Sequence, residues 1–493
     1  MRIGYHMKRY QTIAVNFTGG IISPGNLLNI LEAATQFAIT HISFSLRQQL
    51  LMEVPVTAAK GFLQALTALK TEAAPLKSQP PNVFSSYVCT DIFAESSWMT
   101  EGAYKDVFAL LQTSVRKLKV NICSAQQTFV PLFTGHINWI AGLQKHYWYL
   151  YVRFPGTNTL YCWPEMIYTN DIETVTSAVE QWITTQKNTP PARQEDGVAL
   201  YTAVKGMVAY ISRPIDQDLT PPVFHLPYYE GFNKYGAGYW LGIYRRDEWF
   251  PIPFLQNIAR LCLESKIGEL HATPWKSIII KNISPTQRRL WDSILGHYRI
   301  NVRHAANELN WWVEDGNEDA LVVKRHVIRY FDKEDVRTYG LCFGVLLKHT
   351  APSFGSVLIQ QKEGQTRISL KSQVRYDIYY SEDFNPNAGH YLLYREGVEK
   401  DHLGPYLVSL SKLFYEKAAV LPERTAIAHL QEEPATQRVV YQCTTCTTIY
   451  DPEQGDIRQG VQPGTPYEQL PEDYTCSVCM APVQELSSIH YKK

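Results

Sequence analysis

Two Cys-x-x-Cys pairs near the end of this 493-residue chain constrain its folding more than any other feature. The first pair is Cys443 and Cys446, the second is Cys476 and Cys479, and 29 residues (447–475) separate them. Each pair lets two thiolates from one tight turn bind the same ion, and two such turns complete a tetrahedral S4 site. Four thiolates suit iron or zinc, and of the two only iron can change oxidation state. The segment is therefore predicted to fold around one metal ion. The residues considered so far allow either iron or zinc.

Aromatic, proline, glycine and acidic residues stand at fixed places relative to these cysteines. They are Tyr441, Tyr450-Asp451-Pro452, Asp456, Gly460, Pro463-Gly464-Thr465, Tyr467, Tyr474 and Ala481-Pro482. In this order they resemble the rubredoxins, a family in which four cysteines hold one iron atom. The resemblance implies a single Fe3+/Fe2+ centre held by Cys443, Cys446, Cys476 and Cys479, with the second cysteine of each pair nearest solvent. A zinc ribbon is the alternative, but its cysteine pairs usually lie about 15–20 residues apart.

The segment also departs from the rubredoxin pattern. Rubredoxins usually have glycine directly after the second cysteine of each pair, whereas this chain has Thr447 and Met480. The next residue after Thr447 is usually tyrosine in the family and is Thr448 here. The turn favours positive φ, which costs a residue with a side chain about 1 kcal/mol or more. We predict positive φ at Thr447 and Met480, and altered hydrogen bonding to the sulfurs, which tunes redox potential.

An internal repeat is the second strong feature of the chain. Residues 22–54 have the pattern of an amphipathic helix followed by a β-rich run, and residues 250–280 repeat this pattern 228 positions later. Leu27 aligns with Leu255 in this comparison, and each copy continues into another amphipathic helix. Solenoid repeats are much shorter, about 20–50 residues. The pattern therefore predicts a protein of two related halves.

Short motifs accompany the repeat. They are Ser45-Leu46-Arg47-Gln48, Thr273-Pro274-Trp275-Lys276 at the equivalent place, and Arg116-Lys117-Leu118-Lys119 between them. Over residues 8–418 the motifs and the repeat resemble the nitrite/sulfite reductase superfamily. The implied fold class is α+β, with a duplicated nitrite/sulfite reductase-like body of ferredoxin-like halves plus a small rubredoxin-like iron-binding domain. We place the first half at residues 1–200, the second at 201–420, a linker at 421–438 and the rubredoxin domain at 439–493.

The same resemblance bears on the cofactors of the body. In the superfamily, the positions that match Arg47, Lys117 and Lys119 line siroheme and its anionic substrate, so these residues form a candidate anion or tetrapyrrole site. An ordinary basic surface is the alternative. The family's [4Fe–4S] cluster needs four cysteines, but residues 311–323 contain none and Cys342 stands alone further on. We therefore expect no [4Fe–4S] cluster, while siroheme binding stays open.

Charge and hydropathy argue against other classes of protein. The 47 Lys and Arg residues balance 47 Asp and Glu residues, which argues against a nucleic acid partner. An uninterrupted apolar run of about 18 residues is missing, so we expect no membrane span. The first ten residues lack the apolar core of a signal peptide. The cysteines outside the two pairs are scattered in apolar settings, as is usual for free thiols in a reducing compartment, and we expect a cytoplasmic protein.

Three functions remain open from sequence alone. In the first, the chain is an electron-transfer protein whose rubredoxin iron serves a nitrate, nitrite or sulfite reduction system. Its partners would be redox proteins, such as a nitrate or nitrite reductase and a flavoprotein donor. In the second, the body is an unusual tetrapyrrole-binding enzyme supplied with electrons by the rubredoxin. In the third, the protein is a zinc-bound structural adaptor. The missing cluster cysteines favour the first over the second, and the 29-residue spacing favours it over the third.

Overall fold

The chain divides into two compact units, Met1–Tyr415 and Glu416–Lys493. A computed structural model describes residues 10–78, 80–93, 98–185, 194–347, 353–362, 374–420 and 438–491. Helices and sheets are mixed throughout the larger unit, which confirms the predicted α+β class. The predicted linker, residues 421–438, lies outside these ranges except for its last residue. Within the ranges, none of the helices is both long and apolar enough to cross a membrane.

The first half of the larger unit supplies two sheets and the helices that cover them. The helices are α1 (Pro24–Gln36), α2 (Ala59–Ala68), α3 (Glu101–Leu111), α4 (Ile172–Thr185) and α5 (Gln194–Met207). The strands are β1 (Tyr10–Val15), β2 (Ile21–Ile22), β3 (His41–Phe44), β4 (Leu50–Pro55), β5 (Ala73–Pro75), β6 (Val83–Ser85), β7 (Val120–Ser124), β8 (Ile137–Ala141), β9 (Tyr147–Arg153), β10 (Leu160–Cys162), β11 (Glu165–Tyr168) and β12 (Ser212–Pro214). Because β12 pairs with β11, this sheet extends past residue 200, where we predict the boundary between the halves.

The second half repeats this arrangement. Its helices are α6 (Ile252–Glu264), α7 (Arg288–His297), α8 (Ala306–Leu309), α9 (Glu318–Lys333) and α10 (Leu403–Val420). Its strands are β13 (Gly231–Tyr235), β14 (Gly238–Ile243), β15 (Phe250–Pro251), β16 (Leu270–Ala272), β17 (Ile278–Ile283), β18 (Trp311–Val313), β19 (Phe343–Leu346), β20 (Val357–Gln361), β21 (Arg375–Ser381) and β22 (Tyr391–Glu399). The smaller unit contains β23 (Arg438–Cys443), β24 (Ile449–Tyr450) and β25 (Leu486–Tyr491).

The repeat predicted from sequence is confirmed by the backbone. Strands β1 and β4 and helix α1 have the same bounds as β14, β17 and α6 after a shift of 228 residues. Two residues after the end of each helix comes a residue with positive φ, Ala38 at 57° after α1 and Lys266 at 58° after α6. In each case the amide of the following residue closes the turn. Ile39 donates to the Ala34 carbonyl at 3.1 Å, and Ile267 donates to the Cys262 carbonyl at 2.8 Å. The two copies therefore share helix endings as well as apolar spacing.

The two halves exchange edge strands. The first sheet has the order β15-β3-β4-β1-β5, and the second has the order β13-β14-β17-β16-β2. Thus β2 of the first half completes the sheet of the second, while β15 of the second half completes the sheet of the first. Ile22 pairs with Leu270, and Phe250 pairs with Ile42. Helices α1 and α6 lie in the single apolar core that these two sheets share, so the halves form one folding unit.

Each half also carries a second sheet, and the two second sheets share a topology. In the first half β6, β7 and β8 run parallel, and β9 then pairs antiparallel with β8. In the second half β18, β19 and β20 run parallel, and β21 pairs antiparallel with β20. The duplication therefore includes the large α+β part of each half as well as the ferredoxin-like part.

A buried ion network joins segments of both halves. Glu248 accepts from the ammonium groups of Lys276 at 2.8 Å and Lys324 at 2.6 Å. Lys276 also lies 3.6 Å from Asp315, whose carboxylate accepts the backbone N–H of Leu46 at 3.1 Å. Burial alone would raise the pKa of Glu248, but the two ammonium groups outweigh burial and lower it to about 2. This carboxylate is therefore ionised at neutral pH and compensates the two buried cations.

We predict that Glu248→Gln lowers the free energy of unfolding by about 3–5 kcal/mol, because it leaves two buried ammonium groups without their carboxylate. Urea unfolding followed by tryptophan fluorescence measures the change. The control is Glu396→Gln, which removes the exposed ion pair with Lys362 and should have little effect. Because folding lowers the pKa of Glu248, this carboxylate contributes its full stabilisation at pH values above its pKa in the unfolded chain. That stabilisation is lost as pH falls from about 4.5 towards 2. Equal stability of the two variants would contradict the assignment.

Candidate metal centre

A three-stranded sheet of order β24-β23-β25 holds the first cysteine pair in the smaller unit. Cys443 is the last residue of β23 and pairs with Leu486 of β25. The chain then turns through Cys446 and returns as β24, where Ile449 pairs with Gln442. The second pair is carried by a turn outside these strands. One cysteine turn is thus fixed to the sheet, and the other must be brought to it by the long loop between the pairs.

The two cysteine turns have the same backbone geometry with a shift of 33 residues. In the first, the Cys443 amide donates to the Thr448 carbonyl and the Thr447 amide donates to the Cys443 carbonyl, both at 2.8 Å. In the second, the equivalent bonds join Cys476 to Ala481 at 2.8 Å and Met480 to Cys476 at 2.9 Å. Each turn therefore points two sulfurs in the same direction, and the two turns face each other.

The predicted positive φ values are confirmed. Thr447 has φ 60° and Met480 has φ 62°, in the left-handed region that glycine adopts without strain. The reason is the turn itself, since positive φ turns the chain back so that the carbonyl of the next residue, Thr448 or Ala481, can accept the amide of the first cysteine. The turn geometry is therefore maintained despite the side chains, at a cost of about 1 kcal/mol or more at each position.

The four sulfurs form one compact site. All four lie within 4.8 Å of one another, with Cys443 Sγ 3.6 Å from Cys479 Sγ and Cys446 Sγ 3.5 Å from Cys476 Sγ. Metal–sulfur bonds of about 2.3 Å would place the sulfurs of a tetrahedral site roughly 3.8 Å apart. The arrangement fits a single iron or zinc ion, and four thiolates this close would repel one another without a cation.

The cysteines differ in exposure. Cys443 and Cys476 are buried, whereas Cys446 and Cys479 are partly exposed. The second cysteine of each pair therefore lies nearer solvent, as the rubredoxin resemblance implied. Two apolar side chains beside them are open to solvent, Val478 at 62 % and Met480 at 66 %. This face therefore brings a sulfur of the S4 site closest to solvent.

A hydrogen bond with a hydroxyl group distinguishes Cys446 from the other three cysteines of the S4 site. The Thr448 hydroxyl lies 3.1 Å from Cys446 Sγ. Bonds from this hydroxyl and from the Thr448 amide lower the pKa of Cys446 to about 6. The sequence marked Thr448 only as a departure from the family pattern, because a side-chain contact to sulfur depends on a rotamer that the sequence does not reveal.

Aromatic side chains fill the small core beside the sulfurs. Tyr441 and Tyr467 stack with ring centroids 4.1 Å apart and an interplanar angle of 11°. Tyr474, which stands where rubredoxins usually have tryptophan, is buried and donates its hydroxyl to Asp456 at 2.9 Å. Its ring meets Tyr450 edge to face at 5.7 Å. The tyrosine thus satisfies its polar end within the loop while its ring packs the core.

In the larger unit, Arg47 is buried and anchored by the protein itself. Its guanidinium donates to Asn82 Oδ1 at 2.6 Å, Asn121 Oδ1 at 3.1 Å and the Val120 carbonyl at 3.3 Å. These acceptors are neutral. Burial and the nearby charge of Arg153 lower the pKa of Arg47 to about 9, which still leaves it cationic at neutral pH.

The other predicted basic residues are separated by the fold. Lys119 is half-buried near Arg47 and Arg153, and burial together with these two charges lowers its pKa to about 8. Arg153, which the sequence did not single out, donates to the backbone carbonyls of Thr134 and Gly135 at 2.7 and 3.1 Å. Lys117, by contrast, is exposed. The role of Arg47, Lys117 and Lys119 in binding an anion or tetrapyrrole stays a prediction, and two of the three lie together.

The equivalent positions of the second half carry different chemistry. Trp275, which corresponds to Arg47, is buried and donates its indole N–H to the Phe129 carbonyl at 2.8 Å. Its ring lies 6.2 Å from both Trp312 and Phe354.

Cys342 is also buried, and burial raises its pKa to about 12. Its sulfur accepts the Ser356 amide at 3.3 Å, so it is a core thiol with a partner inside the protein.

The comparisons with known proteins agree with this geometry. The rubredoxin family model matches residues 440–486. The segment is 58% identical over 41 residues to a high molecular weight rubredoxin of Moorella thermoacetica, covering 8% of this chain and 18% of that protein. It is 34% identical over 59 residues to rubredoxin-1 of Chlorobaculum tepidum, covering 12% of this chain and 86% of that protein. Through this segment, the chain belongs to the rubredoxin family. Most of the Moorella protein lies outside the match.

The body preceding the rubredoxin segment has a structural relative. The NirA protein of Mycobacterium tuberculosis matches with a TM-score of 0.62 and 13% sequence identity, covering 83% of this chain and 81% of that one. At this identity the likeness shows the fold alone. It confirms the nitrite/sulfite reductase-like α+β fold that the diverged motifs and the repeat predicted.

We predict that Met480→Gly stabilises the rubredoxin segment by about 1 kcal/mol or less. The substitution relieves the left-handed strain, while the added freedom of glycine in the unfolded chain offsets part of the gain. Guanidinium unfolding of the metal-loaded chain, followed by loss of metal–thiolate absorption, measures the shift. Met480→Ala is the matched control, since it removes the exposed side chain but keeps the strained Cβ. A gain from the alanine variant equal to that from glycine would contradict the strain at this position.

Proposed function

We propose that this chain is an electron-transfer protein that uses one iron ion held by Cys443, Cys446, Cys476 and Cys479. The observation that carries the proposal is the S4 site itself, in which four sulfurs converge within 4.8 Å and two of them are partly exposed. When bound, iron supplies reversible exchange of one electron between Fe3+ and Fe2+. The buried sulfurs of Cys443 and Cys476 keep water from one side of the site, and the partly exposed sulfurs provide the path to a partner.

Iron is favoured over zinc by membership of the rubredoxin family. A donor such as Thr448 stabilises negative charge on a ligand, and in iron sites this tunes the reduction potential. The same bonds would stabilise thiolates on zinc, so they do not distinguish the two metals. The zinc-bound adaptor therefore remains a distinct outcome of metal analysis.

The partners in this proposal are redox proteins. From Val439 onward the sequence has seven acidic and three basic residues, so a partner with a basic rim around an apolar patch would complement the exposed Val478 and Met480. We propose that electrons pass from a flavoprotein donor to a nitrate, nitrite or sulfite reduction system in the cytoplasm. The reductase-like fold of the body supports this setting. A redox partner that docks on reductases of this fold would meet a similar backbone framework here.

We predict that Cys446→Ala abolishes the ferric–thiolate colour and electron transfer while the body remains folded. Three sulfurs cannot complete the tetrahedral site. Protein purified from its native host should be red and should bleach with one electron per iron when dithionite is added. Cys162→Ala, which removes an exposed cysteine elsewhere, should keep both colour and metal. A colourless, zinc-loaded wild-type protein would end the proposal in favour of the adaptor.

Anion binding by the body is a second candidate function, and one observation favours it. The charges of Arg47 and Arg153 lower the pKa of Lys119, and the charge of Arg153 lowers that of Arg47. The two guanidinium groups donate to neutral amide and carbonyl oxygens. Cations collected in a partly buried place favour a bound anion. Nitrite, sulfite or the carboxylates of a siroheme all carry the required charge. The tetrapyrrole-binding enzyme is the form of this candidate in which siroheme is the occupant.

We predict that sulfite or nitrite, if bound here, binds at least about tenfold more weakly to Lys119→Met than to wild type, since one charge-assisted hydrogen bond is lost. Binding should also weaken as pH rises through about 8, where Lys119 loses its proton. Calorimetric titration measures both effects. Adding siroheme and recording its absorption bands tests the enzyme alternative. Lys145→Met, at an exposed site, is the control. Unchanged affinity of the Lys119 variant would rule out this site.

A further inference from the structure

The two cysteine turns are alike in backbone but unlike in one side chain. Thr448 follows Cys446 by two residues, and Ala481 follows Cys479 by two residues. Both residues offer a backbone amide to the sulfur before them. Thr448 adds a hydroxyl 3.1 Å from Cys446 Sγ, whereas Ala481 has no polar side-chain atom. The two cysteines nearest solvent therefore differ by one hydrogen bond.

The direction of this bond is settled by the chemistry of a metal ligand. A cysteine bound to iron or zinc is a thiolate, which has no proton to donate. The hydroxyl must then be the donor and the sulfur the acceptor. The Thr448 carbonyl already accepts the Cys443 amide at 2.8 Å, so the backbone that carries the hydroxyl is held in the turn. Thr448 is also half-buried, which limits competition from water.

We propose that the Thr448 hydroxyl is a positioning group that raises the reduction potential of the iron centre through Cys446. The proposal rests on the electron-transfer function proposed above. Reduction adds one electron to the site, breaks no bond and moves no proton, so the thiolates become more electron-rich. A hydrogen bond to sulfur is stronger in that state and stabilises Fe2+ relative to Fe3+. The equivalent place in the second turn lacks this donor, so the effect acts on one of the two partly exposed ligands.

The experiment compares reduction potentials of the full, iron-loaded chain and its variants. Thr448→Val keeps the shape of the side chain and removes the donor. We expect it to lower the equilibrium constant for reduction about tenfold, which corresponds to about 59 mV for one electron. Thr448→Ser keeps the hydroxyl and should stay near wild type. Ala481→Ser places a hydroxyl at the matching point of the second turn and should shift the potential upward. Visible absorption confirms that each variant retains the iron–tetrathiolate site.

The outcomes distinguish the proposed role of the Thr448 hydroxyl from the proposed electron-transfer function. A wild-type chain without a reversible one-electron couple overturns the electron-transfer function and the hydroxyl's role together. A reversible wild-type couple whose potential is the same in Thr448→Val overturns only the role of the hydroxyl. A fall in the valine variant that the serine variant does not share supports it, because a purely structural contact would not distinguish the two.

Discussion

Mutual repulsion among four thiolates is the constraint on which the metal-binding unit depends. Sulfurs held within 4.8 Å of one another would drive the two cysteine turns apart unless a cation neutralised them. The surrounding structure has the opposite task of keeping those turns in place, through the three-stranded sheet, the backbone bonds that close each turn and the stacked tyrosines. Metal binding and folding are therefore linked in this segment, since each supplies what the other lacks. The strain accepted at Thr447 and Met480 shows how strongly the turn geometry is imposed.

The body is organised by a different principle, which is complementarity between its two halves. They share a core between α1 and α6, exchange edge strands, and are tied by a buried network centred on Glu248. Where the halves match in backbone they differ in side chains. Arg47 stands at the place that Trp275 takes in the second half, so one copy presents a cation and the other an aromatic ring. Duplication thus preserved the framework while the two copies came to hold different chemistry.

Much of this could be predicted from the sequence. The spacing of the cysteines singled out the four whose sulfurs converge, helical periodicity located α1 and α6, and the family pattern anticipated positive φ at Thr447. These features are local, because each depends on residues that are close together in the sequence. The exchanged strands are only two residues long and carry no periodicity, and their pairing depends on partners about 248 and 208 positions away (Ile22 to Leu270, Ile42 to Phe250). Distant contacts of this kind, like the Thr448 hydroxyl rotamer, arise only once the chain has folded.

The crossing of β2 and β15 between sheets has a consequence for the origin of the body. A lone ancestral copy would have possessed a sheet with one vacant edge and a short strand with nothing to pair with, and a second molecule would have satisfied both needs at once. In such a unit, both the vacant edge and the short strand would be paired only in a twofold, domain-swapped dimer. Joining the two subunits in one polypeptide keeps the exchanged strands, but the two halves no longer need the same sequence. Each half can then acquire side chains that the other lacks.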